Sequence, residues 1–254
     1  MATFIFFGGS EMRPTSWTTC QAALEEAGHR AMAIDWADAP WRDGAGAAIE
    51  HLARPLQQVE AAVLVGHSAA GLFLPSLADK IQARAEIHLA SLVARPGESF
   101  LDRVFAGEEI FTPEWEAAYR EILAAKDAPE KLRATMERFL FHDCPPDSFA
   151  RHWRPSPALD LLYEMRFPAS EGFTRPRYYV VCRDDRTIRP AWQRLAATEI
   201  REGEPLEFLS GHCPHLANPN ELAGLLAKWP RDGRFSGLEI TPLITQRALG
   251  YIPE

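Results

Sequence analysis

Short apolar runs alternate with helical periodicity along this chain. Residues 3–7 (TFIFF), 30–34, 61–65 (AAVLV) and 86–90 read as strands. Between them, residues 16–27 place Trp17, Cys20, Leu24 and Ala27 on one helical face, with Gly28 as the stop. Residues 45–56 are helical up to Pro55, and 69–83 are helical again. The pattern resumes late. Residues 178–182 (YYVVC) form a fifth strand, with a helix from Pro190, and 206–209 a sixth, with a helix over 220–229. Such alternation predicts an α/β fold, a mostly parallel sheet of about six strands covered on both faces.

The interval between the fourth and fifth strands carries only helical signals. Thr112-Pro113-Glu114 reads as an N-cap followed by Pro at the first helical position. Ala128-Pro129-Glu130 and Pro145-Pro146-Asp147 open two more helices. The expected organisation is a core of residues 1–94 and 173–230, a helical cap over 95–172, and a C-terminal extension over 231–254. The extension contains LEITPLIT, a short strand or an arm, and offers a surface for a homodimer.

A chain of 254 residues fits one such domain with an insertion. Its formal net charge of −8 and the absence of a basic run argue against nucleic-acid binding. Four cysteines (20, 144, 182 and 213), none in a CxxC pair, suggest free thiols in a reducing compartment. The N-terminal apolar run is too short for a signal peptide, and no stretch is long enough to span a membrane. The expectation is a cytoplasmic protein that acts on a small molecule without nucleic acid or membrane.

Candidate chemistry lies at the ends of the strands. AAVLVGHSAAG puts Ser68 in a tight turn between strand and helix, where its neighbours must be small; Gly66 and Ala70 are. The alternative is a glycine-rich strand–helix turn, one that could bind a phosphate. A serine hydroxyl needs a base. His212 is the candidate, in the loop after the sixth strand, and His215 is its rival. An acid must orient that base. The loop VVCRDDRTIRP offers Asp185, with Asp184 as the alternative. A His-x-x-His zinc reading lacks further ligands nearby, so no metal or cofactor is expected. The oxyanion needs two N–H donors, assigned to Ala69 and, from the loop after the first strand, Ser10. Gly9 and His67 beside the nucleophile, and Trp115 and Phe139 from the aromatic-rich insertion, are the candidate substrate-binding residues; His67 packing as a structural neighbour is the alternative.

The motifs FIFFGGS, VLVGHSAAG, FLFHDCPP, YYVVCRDDRTIRP and SGHCPHLANPNEL together resemble the α/β-hydrolase superfamily, in the branch of esterases and hydroxynitrile lyases. The order Ser68, Asp185, His212 matches that family. The chain departs from it at Gly8-Gly9, where His-Gly is usual, and at Ala70, where Gly is usual. Cys213 and Gly9 stand where the lyases of the branch carry Lys and Thr, which disfavours cyanohydrin cleavage. His142 and Asp143 read as structural. The resemblance implies a serine hydrolase that cleaves an ester-type bond of an apolar or aromatic small molecule through an acyl-enzyme. Two alternatives stay open: a non-hydrolytic cyclase, epimerase or lyase, suggested by Gly8-Gly9, and a ligand-binding protein.

Overall fold

The computed structural model describes residues 1–125, 128–156, 158–168, 175–200 and 205–228. The expected extension over 231–254, the cap boundary at 172 and Trp229 lie outside the described residues.

Six strands are present: β1 Thr3–Phe7, β2 Arg30–Ile34, β3 Ala62–His67, β4 Ala85–Leu89, β5 Arg177–Cys182 and β6 Leu206–Phe208. They form one sheet in the order β2-β1-β3-β4-β5-β6, with every pairing parallel. The crossovers include α1 Thr18–Glu26, α2 Ala45–Ala53, α3 Leu74–Ile81 and α9 Pro190–Ile200. Between β4 and β5 the chain makes α4 Phe100–Phe105, α5 Pro113–Ala124, α6 Pro129–Phe139, α7 Ser148–His152 and α8 Leu159–Glu164. After β6 come α10 Pro214–Ala217 and α11 Pro219–Ala227.

Successive side chains of a strand point to opposite faces, and here both faces are buried. Phe4, Phe6, Val63, Val65 and Val180 pack with Trp17, Leu24 and Leu222 on one side. Ile5, Phe7, Leu64 and Val181 pack with Leu52, Leu77 and Ala196 on the other. Phe4, Ile5, Phe6 and Phe7 are all 0% exposed. Burial of each contributes about 1.5–3 kcal/mol, against about 0.5–1.5 kcal/mol net for one ladder hydrogen bond. Burial therefore dominates in anchoring β1, and it fixes the loop that leaves it. That loop faces β3, because β1 lies between β2 and β3 with Phe7 in register with Gly66. The strand order reverses there, and ligand crevices form at such points, outside the carboxyl ends of the strands.

Several expected helices differ in detail, for reasons of backbone chemistry. The helix after Ser68 is not a single α-helix. Ser68–Leu72 is a 3₁₀ segment, and α3 starts only at Leu74. Pro75 explains the break: it has no N–H, and its ring bars the carbonyl four residues back. Likewise Pro219 separates α10 from α11, with Asn218 held out of the helical region at φ −137°. The helix expected over 16–27 begins as a 3₁₀ turn, Pro14–Trp17, and Ala27 is exposed beyond its end. In the insertion, Thr112 caps α5 by accepting from the Trp115 N–H, as its sequence predicts. Helix α4, not among the helices expected from the sequence, opens on a Ser99–Asp102 capping box. No helix among the described residues is long and apolar enough to cross a membrane.

Candidate active site

Strand β3 delivers Ser68 at its carboxyl end in a left-handed conformation, φ +53°. A non-glycine residue adopts this only at a cost of about 1–3 kcal/mol, offset by the packing around it. The Leu92 N–H donates to the Ser68 carbonyl at 3.0 Å. A Cβ on Gly66 would touch the Leu74 side chain at 3.0 Å. The tighter constraint is Gly71, where a Cβ would stand 2.5 Å from the Leu92 carbonyl oxygen and 2.6 Å from the Ser91 Cβ. The sequence motif pointed to Ala70 instead.

Ser68 Oγ lies 3.1 Å from His212 Nε2, and His212 Nδ1 lies 2.8 Å from Asp185 Oδ2. A carboxylate can only accept, so the His212 proton sits on Nδ1 and the Nε2 lone pair faces Ser68. Asp185 is 4% exposed. Its Oδ1 accepts from the Thr187 and Ile188 N–H groups at 2.7 and 3.0 Å, and its Oδ2 also accepts from Gln193 Nε2 at 2.8 Å. Gln193 is a residue the sequence reading missed. It is fully buried on α9, and its Oε1 accepts from the Cys182 N–H. A glutamine on the apolar face of the helix opening at Pro190 was the available signal. Asp184, the alternative acid, is exposed; its backbone N–H donates to Ser210.

Two neighbouring histidines, His67 and His215, are packed inside the protein. His67 is buried and outside the cavity at Ser68. Its Nδ1 accepts from the Gly9 N–H at 3.1 Å and its Nε2 donates to the His212 carbonyl at 2.8 Å. Burial, reinforced by His215 and His212, pushes it well below the usual histidine range. His67 is therefore a neutral brace between two loops, not a group facing substrate. His215, the rival base, stacks on Trp17 at 4.2 Å and is pushed down to about 3, chiefly by burial.

The loop after β1 comes close to Ser68 because Gly9 has no side chain. A Cβ there would lie 3.0 Å from both the His67 ring and the Ser68 Cβ. Gly9 thus sets a spacing and does not line the cavity. The N–H groups of Ser10 and Ala69 have no hydrogen-bond partner among the described residues, and Ser10 lines the cavity with Ser68.

That cavity measures about 370 Å³. Trp115 lines it, as do Phe111, Tyr119, Met136 and Tyr163 from the insertion. Phe139 does not: it packs edge-on behind Trp115, with ring centroids 5.6 Å apart. A second cavity, beside His88 and Arg95, includes neither Ser68 nor His212. Among the described residues no group of three His, Cys, Asp or Glu side chains is placed to hold a metal ion.

The insertion also grips the loops that carry Asp185 and His212. Asp143 Oδ2 accepts from the Gly211 N–H at 2.6 Å and from Ser210 Oγ at 3.1 Å. His142 Nε2 donates to the Asp184 carbonyl at 3.1 Å. Gly211 makes this fit possible, because a Cβ there would lie 2.4 Å from His142 Nε2.

No curated protein sequence matches the chain. Among solved structures, an extracellular alpha/beta-hydrolase from a Paenibacillus species superposes with a TM-score of 0.71 at 16% identity, covering 91% of this chain and 100% of that one. A pyrethroid hydrolase from Sphingobium faniae JZ-2 gives 0.68 at 19% identity, covering 90% and 96%. Polyneuridine aldehyde esterase gives 0.67 at 17% identity, covering 90% and 98%. At these identities the likeness is one of fold. The family profile described as the alpha/beta hydrolase family matches residues 6–225. With that match over most of its length, and the sheet and strand-end site described above, the chain belongs to the alpha/beta hydrolase family.

Proposed function

We propose that this protein is a serine hydrolase that cleaves an ester bond of a small apolar or aromatic molecule. One observation carries the reading. A buried hydrogen-bonded chain runs from Ser68 Oγ through His212 to Asp185, and the N–H groups of Ser10 and of Ala69, the residue after Ser68, have no partner among the described residues. Esterases and hydrolases among the proteins of like fold give further support.

In this reading Ser68 Oγ bonds to the ester carbonyl carbon while His212 Nε2 takes its proton. The charged imidazolium is stabilised by the Asp185 side chain hydrogen-bonded to its Nδ1. The oxyanion is held by the N–H groups of Ser10 and Ala69. The carbon–oxygen bond to the alcohol breaks, and His212 returns the proton to the leaving alkoxide. Water, deprotonated by the same nitrogen, then releases the acid and frees Ser68. Trp115 and its aromatic neighbours hold the apolar part of the substrate.

Turnover of p-nitrophenyl esters tests the reaction. Ser68→Ala is expected to lower kcat by about 10⁴-fold or more with the fold intact. Equal turnover by wild type and variant would overturn the reading.

A further inference from the structure

Glu11 follows Ser10 directly and lines the cavity at Ser68. Its backbone is left-handed, φ +65°, an uncommon state for a residue with a side chain. The insertion holds it there. The Arg154 N–H donates to the Glu11 carbonyl at 2.7 Å, and Met12 bridges to Trp153. Trp153 Nε1 donates to Glu11 Oε2 at 3.1 Å. The carboxylate is thus fixed in the cavity wall, and it makes no ion pair among the described residues.

Its surroundings are aromatic. Trp115, Tyr119, Tyr163 and Phe111 line the same cavity, with Trp115 and Tyr119 stacked at 5.4 Å. Burial pushes the Glu11 carboxyl up, opposed by hydrogen bonds with Trp153 and the Ser156 backbone and aided by Asp160, and Glu11 helps push up the Tyr119 and Tyr163 hydroxyls. The cavity's other charged side chains, Glu116 and Arg120, are exposed, one of each sign. Among the described residues they leave the Glu11 charge without a cation beside it.

Glu11 is half-buried; a carboxylate partly withdrawn from water without a cation carries a cost, and a ligand that supplies the cation reduces it. Aromatic faces beside it attract the same ligand through their quadrupoles. A ligand carrying its own carboxylate is repelled. We propose that Glu11 selects esters bearing a protonated amine or quaternary ammonium group, seated between its carboxylate and the rings of Trp115, Tyr119 and Tyr163. This specificity rests on the Ser68 reading, since it concerns the substrate of that site.

Two matched pairs of esters test it. One is a choline ester and its neutral counterpart, with tert-butyl in place of trimethylammonium. The other is a methyl ester whose acyl chain ends in trimethylammonium, again with its tert-butyl counterpart. Binding is measured by calorimetry on Ser68→Ala, and kcat/KM on protein with Ser68 intact. The cationic member of at least one pair is expected to be preferred. Glu11→Gln should lower that cationic-to-neutral ratio roughly 10- to 100-fold. Preference for the neutral member in both pairs, or a ratio unmoved by Glu11→Gln, would overturn the proposal. Failure of the Ser68 reading looks different: no ester is turned over, while the binding preference on Ser68→Ala persists.

Discussion

Ser68 sits in a strained conformation that its neighbours must be small enough to allow. Gly71 is the tightest of these, because a methyl group there meets the backbone at Leu92, whose N–H also holds the Ser68 carbonyl. Gly71→Ala is therefore expected to destabilise the fold by about 1–3 kcal/mol and to slow ester turnover. Gly224→Ala, where a Cβ meets nothing within 4 Å, serves as the control and should leave stability unchanged or raise it. Thermal unfolding of the two variants checks this, and equal midpoints would contradict it. The sequence pointed to Ser68, His212 and Asp185 because each follows an apolar run that reads as a buried strand. It did not point to Gly71, and it marked Gly211 only as the residue before His212, without its packing reason. Their constraints come from Leu92 and from His142 and Asp143, far along the chain, and local spacing carries no trace of such contacts.

At the scale of elements, β1, β3 and β5 were legible because burial on both faces writes them as nearly continuous apolar runs. Helix boundaries were less so. Pro75 and Pro219 break helices that apolar periodicity alone would extend, although both prolines were visible. The insertion matters to the site through Asp143, which accepts from Ser210 and Gly211 immediately before His212. Asp143→Ala would leave that backbone N–H without its partner and loosen the loop. A fall in kcat of about tenfold is expected, consistent with losing about 1.5 kcal/mol of positioning hydrogen bonds, with a smaller change in KM. Asp143→Asn, which keeps an acceptor oxygen, should recover part of the loss. Unchanged kcat in Asp143→Ala would show that the loop holds its shape unaided.

Over the whole molecule, acid is expected to destabilise the fold through two histidines that it keeps uncharged. His215 is pushed down to about 3 and His67 well below its usual range, both first by burial. The unfolded chain binds protons at these rings below about pH 6.5, while the folded chain does not. Stability therefore falls as pH drops from there toward about 3, by up to about 1.4 kcal/mol per pH unit for each ring. His215→Phe, which keeps a ring against Trp17, should lose less stability than wild type in denaturant titrations between neutral and acid pH; parallel losses would contradict this. The architecture and the order of the three site residues were readable from the chain. The contents of the cavity were not, because Glu11, Trp115 and Tyr163 come from separate segments whose facing is decided by packing. Phe139 shows the difficulty: it is as aromatic as Trp115 yet lies behind it. The central claim, that Ser68 is an activated nucleophile, is tested most directly by a fluorophosphonate probe with intact mass and peptide mapping. A single adduct on Ser68, absent in Ser68→Ala, is the result expected; folded protein that takes no label would contradict it.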